Sequence, residues 1–140
     1  MTTPRSALAS IAALLAIASP AGAADAPFPQ AQAVIEGQFA AFAHGDGAAA
    51  YAYAAPNIRR IFPDAGAFMA MVARGYAPVL RHRAATFLGA AATAGGVTQD
   101  VLLIDADGAA WTARYTLERE PDGTWRISGC VLLKRPEVSS

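Results

Sequence analysis

Residues 111–133 constrain the fold more than any other stretch, because they read as a β-hairpin with one dry face: WTARYTLE, then REPDGT, then WRISGCVLL. Strict alternation puts Trp111, Ala113, Tyr115 and Leu117 on one side of the first arm, and Ile127, Gly129, Val131 and Leu133 on one side of the second. In the connection, Pro121-Asp122-Gly123 suits a three-residue loop, with Pro presetting φ for a type I turn and Gly123 taking the left-handed closing position. If Glu120 faces Thr124, then Leu117 faces Ile127, Tyr115 faces Gly129, Ala113 faces Val131 and Trp111 faces Leu133, with Glu118 opposite Arg126 on the other side. A four-residue loop sets Leu117 against Arg126, so turn chemistry and side-chain pattern select the same register. Upstream, residues 97–105 read as a further strand, joined through Asp107-Gly108 as a two-residue turn. That turn pairs Ile104 with Trp111, Leu102 with Ala113 and Asp100 with Tyr115.

Before the strands the hydrophobic period is helical. Ala31, Val34, Ile35, Gln38, Phe39 and Phe42 recur at three- and four-residue spacings over residues 30–44, and Gly45 ends the run. Gly37, inside that helix, marks either a close approach by another element or a cost of up to ~1 kcal/mol. Asp46 is placed to cap a second helix running to Ala55 and stopped by Pro56. Residues 57–62 make a short helical turn with Ile58, Ile61 and Phe62 inward and Arg59 and Arg60 outward. Asp64 caps residues 65–74, whose Phe68, Met69 and Val72 form one stripe, and Gly75 and Pro78 end that helix. After Pro78 the period changes to two: residues 79–88 read as a strand with Leu80, His82, Ala84, Thr86 and Leu88 sharing a face, and residues 89–96 as a loop, with Ala90 to Thr93 as an alternative extension of the strand. Helices first, then about four strands, is an α+β arrangement in which the helices pack on one side of a curved antiparallel sheet.

The chain has 140 residues, of which 54% are hydrophobic, and its first part is expected to leave the mature protein. Arg5 is followed by the apolar run ALASIAALLAIA and by Ser19-Pro20-Ala21-Gly22-Ala23-Ala24, a small-residue region that satisfies the A-x-A pattern. Residues 1–24 therefore read as a signal peptide cleaved after Ala23 or Ala24, with residues 25–140 as a single domain in the periplasm or secreted. The apolar run is too short for a stable membrane span. Loss of Arg5 turns the formal charge balance into a net charge of −1, which makes no electrostatic case for nucleic acid or an anionic membrane. Cys130 is the single cysteine, so no internal disulfide forms and stability has to come from the core.

Several stretches carry a resemblance: EGQFAAF from Glu36, DGAAAYAYAAPNI from Asp46, FMAMVARGY from Phe68 and WRISGCVL from Trp125. Together they resemble the bacterial family called domain of unknown function 4864, over nearly all of the mature chain. Membership implies an exported protein without an established activity and offers no catalytic residues to carry over. That family resembles, more distantly, the cone-shaped α+β fold of the nuclear transport factor 2 type, which implies a pocket without choosing its use.

Asp100 is the most informative acid, because the expected register sets it among Leu102 and Ile104 on the face of Tyr115. With His82 on the first strand it defines a possible Asp/Tyr/His pocket suited to proton abstraction, if all three side chains turn into one cavity; a solvated acid at the sheet rim is the plainer reading. Cys130 faces Arg114 in this register, which gives either a reactive thiolate or, more simply, a buried inert thiol. Arg59, Arg74 and Tyr76, with Arg60, Arg81 and Arg83, are candidates for an anion-binding patch, against ordinary solvated arginines. The two histidines lack metal-ligand spacing, no G-x-S-x-G is present, and nothing calls for a cofactor. The expected function is a non-catalytic binding or accessory module for a small molecule or an envelope protein. A homodimer through the sheet is also expected, because Val101 and Leu103 alternate with Leu102 and Ile104 and leave that strand apolar on both faces. The runner-up is a small lyase- or isomerase-type enzyme using Asp100, Tyr115 and His82.

Overall fold

A computed structural model describes residues 28–137, so the expected leader and its cleavage site lie outside the described residues. Among the described residues five helices, α1 (Pro29–Ala43), α2 (Gly47–Ala52), α3 (Pro56–Ile61), α4 (Ala65–Gly75) and α5 (Ala77–Leu80), precede four strands, β1 (His82–Thr93), β2 (Gly96–Asp105), β3 (Ala110–Arg119) and β4 (Trp125–Lys134). The strands form one antiparallel meander in the order β1-β2-β3-β4, and the helices cover one face of this open, curved sheet. The expected α+β architecture is the one observed.

Helix ends follow the local chemistry. Pro29 occupies the first turn of α1, where its missing N–H costs nothing, and Gly45, at φ 68°, ends the helix in the left-handed region. Asp46 and Asp64 each accept from a backbone N–H three residues on, Ala49 at 3.0 Å and Ala67 at 2.7 Å. Gly37 does mark a close approach: a Cβ there would lie 2.4 Å from the Tyr53 hydroxyl.

Four local expectations are corrected. The α2 helix stops at Ala52, and residues 53–55 become extended: the Ile127 N–H donates to the Tyr53 carbonyl and the Ala55 N–H to the Ile127 carbonyl, both at 2.8 Å. Pro56 disfavours a helical Ala55, and the outer edge of β4 offers unpaired backbone groups that the segment satisfies. Residues 77–80 are helical rather than strand, because Pro78 sits in the first turn of α5, and Val79 is buried there. The alanine- and glycine-rich residues 89–93 continue β1; an irregularity between Phe87 and Ala90 frees the Leu88 and Gly89 carbonyls, and Gln99 Nε2, nearly fully buried, donates to them at 3.0 and 3.4 Å. Ile61 points outward, 70% exposed, because Ile58 and Phe62 alone turn the apolar side of the six-residue α3 toward the core.

The largest correction concerns register. The β2–β3 connection is a three-residue loop, not a two-residue turn: the Asp105 N–H donates to the Ala109 carbonyl at 2.8 Å, the Gly108 N–H to the Asp105 carbonyl at 3.1 Å, and Gly108 has φ 85°. The Asp105 carboxylate organises it, accepting from the Asp107 N–H, the Ala109 N–H and the Trp111 indole at 2.8–2.9 Å. These bonds hold its pKa below the usual carboxylate value, the indole contributing most. Leu103 therefore pairs with Trp111, Val101 with Ala113, Gln99 with Tyr115 and Asp100 with Arg114. One residue of slip exchanges the two faces of β2. Val97, Gln99, Val101 and Leu103 enter the core, and Leu102, Ile104 and Asp100 turn to the open face.

On the β4 side the PDG loop forms as expected. Glu120 donates to the Thr124 carbonyl at 2.7 Å, Gly123 has φ 87°, and Leu117 pairs with Ile127 and Glu118 with Arg126. A bulge at Ser128 then shifts the ladder, so Tyr115 pairs with Cys130, Ala113 with Leu132 and Trp111 with Lys134. The Ser128 carbonyl accepts from Asn57 Nδ2 at 2.9 Å. Cys130 consequently joins the helix-covered side of the sheet, while Val131 and Leu133 are exposed on the other.

Candidate functional site

An apolar cavity of about 280 Å³ lies between the helices and the β3–β4 end of the sheet. Its floor includes Tyr115, Ile127 and Cys130, and its walls include Phe42 of α1, Phe68 and Val72 of α4, and Tyr76 between α4 and α5. Ile58 and Phe62 close it on the α3 side. Among the described residues no acidic, basic or histidine side chain lines it.

Polar bonds, together with Ile58 and Phe62 packing on the core, fix where α3 stands beside the sheet. None of its residues is buried. At one end Asn57 reaches the Ser128 carbonyl; at the other the Tyr51 hydroxyl donates to the Phe62 carbonyl at 2.6 Å. Arg59 lies 4.9 Å over the Tyr51 ring and donates to the carbonyls of Ala54, Tyr51 and Ala52 at 3.1–3.3 Å. The guanidinium thereby gathers carbonyls at and just beyond the end of α2, which fixes the corner from which α3 departs.

Within the cavity most polar groups are already engaged. Gln38, 3% exposed, donates from Nε2 to the Ala50 carbonyl at 3.2 Å, and the Tyr76 hydroxyl donates to the Cys130 carbonyl at 3.2 Å. Tyr115 differs: it is 1% exposed and its hydroxyl has no hydrogen-bond partner. The Cys130 thiol stands near that hydroxyl without forming a bond of ordinary geometry. Leaving a buried hydroxyl unpaired costs about 1–3 kcal/mol. Burial, and secondarily the neighbouring thiol, pushes the Tyr115 pKa well above its ordinary value. Burial likewise pushes the Cys130 thiol up to about 12. At neutral pH both groups stay protonated and uncharged, so neither is a base or a thiolate nucleophile.

The remaining residues singled out from sequence do not assemble. Asp100 lies on the open face, where Arg114 Nε donates to it at 2.9 Å and Nη2 at 3.2 Å. It is therefore across the sheet from Tyr115. His82 donates from Nδ1 to the Val79 carbonyl at 3.1 Å and packs edge-on against Phe39, their centroids 4.6 Å apart. Phe39 also meets Tyr115 edge-on, at 6.0 Å. The Asp/Tyr/His pocket is thus not formed. Nor is an anion patch: Arg59 is committed to backbone carbonyls, Arg74 is exposed in the last turn of α4, and Tyr76 belongs to the apolar pocket. Cys130 faces Tyr115 rather than Arg114. No group of three metal-ligating side chains occurs among the described residues, and no described helix is long and apolar enough to cross a membrane. Sequence reasoning missed the pocket role of Gln38, Ile58 and Phe62; a glutamine inside an apolar stripe was the available signal for the first.

A helical layer on one face of a four-stranded antiparallel meander, with an uncharged cavity between the layers, defines a pocket-bearing α+β domain. The chain belongs to the family described as domain of unknown function 4864, whose model matches residues 24–140. No curated protein and no solved structure matches it.

Proposed function

We propose that this domain is a non-catalytic binding module that encloses a small apolar molecule in the cavity between α1, α3, α4 and the β3–β4 end of the sheet. The observation that carries this reading is a preformed apolar cavity without a charged group in its lining. An apolar cavity of about 150 Å³ accommodates benzene, so one near 280 Å³ accepts roughly ten to twelve non-hydrogen atoms. The lyase or isomerase alternative loses its support, because Asp100 and Tyr115 diverge and two ionisable groups of the pocket, Tyr115 and Cys130, are held neutral.

Butylbenzene is a suitable first probe. It is expected to raise the melting temperature in a saturable, concentration-dependent way, as a ligand that binds only the folded state does. Val72→Phe fills the cavity and should abolish that response while keeping a cooperative melt. Absence of any response in the wild-type chain refutes the reading.

Export to the periplasm or beyond is part of the proposal, supported by Arg5, the apolar run and Ala21-Gly22-Ala23. N-terminal sequencing of the protein from the cell envelope should begin at Ala24 or Asp25; retention of Met1 refutes it. For a homodimer, the expected ground keeps its form with the faces exchanged: Val101 and Leu103 are core residues, and Leu102 and Ile104 are the apolar pair on the uncovered face. The open face offers another: Val131 and Leu133 are 56% and 44% exposed beside the mutually neutralising Asp100–Arg114 pair, a surface able to meet a second copy of itself. Sedimentation at high protein concentration that returns only monomer overturns this part.

A further inference from the structure

Backbone carbonyls around the pocket are already engaged: that of Ala54 accepts from Arg59, that of Ile127 from the Ala55 N–H, that of Phe62 from the Tyr51 hydroxyl and that of Cys130 from the Tyr76 hydroxyl. The Tyr115 hydroxyl is unpaired but sealed against the Cys130 thiol, out of reach even of water. The Met71 and Cys130 sulfurs bond weakly, and the Tyr76 oxygen keeps room only to accept. Gln38 differs from all of these. It stands in the buried stripe of α1 with Ala31, Ile35 and Phe42, and one of its amide N–H groups goes to the Ala50 carbonyl. Only the nitrogen limb of the amide can face a carbonyl, so Ala50 fixes its orientation and turns Oε1 away.

That oxygen and the second N–H have no partner among the described residues. The unpaired side-chain oxygens closed to water belong to Asn57, Tyr115 and Glu120; Gln38 Oε1 is not one of them, so it keeps an open surface. For a residue 3% exposed in the middle of the core, the surface it opens on is the cavity it lines. A leucine at this position completes the apolar stripe with no unpaired group, whereas a half-satisfied amide in an apolar space is costly. The partner of the unused half has to come from the cavity.

An amide oxygen accepts and cannot donate, so its partner carries an O–H or N–H. An ammonium has such donors, but it would leave water without meeting a negative group, because no acidic side chain lines the space; a carboxylate or phosphate meets no positive one. The remaining wall, with Phe42, Phe62, Phe68, Val72 and Ile127, favours hydrocarbon. We infer that the pocket selects an uncharged hydroxylated hydrocarbon, an alcohol or phenol of roughly ten to twelve non-hydrogen atoms, whose O–H donates to Gln38 Oε1 and whose oxygen can take the second amide N–H. This rests on the pocket being a ligand site, as proposed above. Gln38 is then its specificity-determining residue.

The test uses three probes of nearly equal size, butylbenzene, propiophenone and 3-phenylpropan-1-ol, which offer no polar atom, an acceptor only, and a donor with an acceptor. Each is titrated by calorimetry into the wild-type chain and Gln38→Met, a variant of similar length and volume without the amide. The Ala50 carbonyl keeps the Tyr53 N–H at 3.3 Å, so loss of the Gln38 donor orphans nothing and a cooperative melt is expected. In Gln38→Met the alcohol should lose about three- to tenfold in affinity relative to butylbenzene, the effect of one neutral hydrogen bond, and the ketone less than the alcohol. Equal losses for ketone and alcohol mean that the amide N–H rather than Oε1 reads the ligand, and they overturn the inference. A ratio of alcohol to butylbenzene affinity that is the same in both proteins also overturns it, while the pocket reading stands. Wild type alone gives a second readout by NMR: the Gln38 Cδ resonance should move downfield with the alcohol, through the new bond to Oε1, and not with butylbenzene. Equal shifts for the two sink the inference. Failure of all three probes to bind wild type refutes the pocket reading itself, and this inference with it.

Discussion

Leu102 and Leu103 are neighbours on β2 and chemically identical, yet the two hairpin registers assign them opposite fates. With the three-residue loop, Leu103 is 0% exposed opposite Trp111, beneath the helical layer, while Leu102 sits on the open face opposite Thr112. Truncating Leu103 to alanine removes buried methyl groups and leaves an enclosed void, so Leu103→Ala should cost about 3–5 kcal/mol. Leu102→Ala loses only the transfer contribution of a partly exposed side chain with no enclosed cavity, about 1–2 kcal/mol. Urea unfolding followed by the fluorescence of Trp111 and Trp125 reads both directly. For an m-value of about 1–3 kcal/mol per molar urea, the midpoint of Leu103→Ala should fall by one to several molar and that of Leu102→Ala by a fraction of that. An equal or greater loss in Leu102→Ala would mean that β2 presents its other face to the helices. The assignments of Gln99, Asp100 and the pocket floor would then fall with it.

Three further outcomes follow from named contacts. Gly96→Ala should be severely destabilising, because its Cβ would lie 2.0 Å from the Leu117 carbonyl oxygen, which belongs to a paired strand and cannot retreat. Gly89→Ala meets nothing within 4 Å and should be neutral or stabilising by up to about 1 kcal/mol; thermal melts that rank the two in the reverse order contradict the β2–β3 geometry. Cys130, its pKa pushed up to about 12, should react with iodoacetamide at pH 8 at least a hundredfold more slowly than in urea-unfolded chain, and a rate near the unfolded one contradicts the raised pKa. Because the folded pKa of Asp105 is lowered, its contribution to stability is present above its unfolded value of 3.8 and is lost as pH falls through the folded pKa. The stability difference between wild type and Asp105→Asn should therefore be largest near neutral pH and vanish in strong acid; a difference independent of pH contradicts the role given to the carboxylate. Glu118, whose pKa is raised chiefly by burial, works in the opposite direction, so the comparison uses the same pH series for both proteins.

Local chemistry made much of the chain legible. Asp46 and Asp64 cap the helices that follow them, Gly45 ends α1, and the Pro121-Asp122-Gly123 loop sets Leu117 against Ile127. Each of these depends on residues within a few positions of one another, where propensity and capping decide the outcome. The second hairpin shows where that stops. Its Asp107-Gly108 pair suits a two-residue turn, but Asp105 takes three donors including an indole six residues on, and the stabilised loop is one residue longer. One residue is enough to invert a face, which is why the candidate site built on Asp100 dissolved and Gln99 moved into the core beside Tyr115.

What the sequence determined alone is the kind of layer each segment makes: a helical period before residue 76, a strand period after residue 82, a dry β3 face, and caps and loops at their ends. These follow from interactions a few residues long. Tertiary structure decided which residues share a cavity. The bulge at Ser128 is anchored by Asn57, and residues 53–55 pair with Ile127; these contacts span more than seventy positions and shift Cys130 to the side of Tyr115. Arg59 and Tyr51 fix the corner from which α3 departs, and the apolar space bounded by α3, α4 and the sheet has no charged side chain in its lining. No local pattern records that space, because it is defined by where packing ends rather than by any residue's own preference.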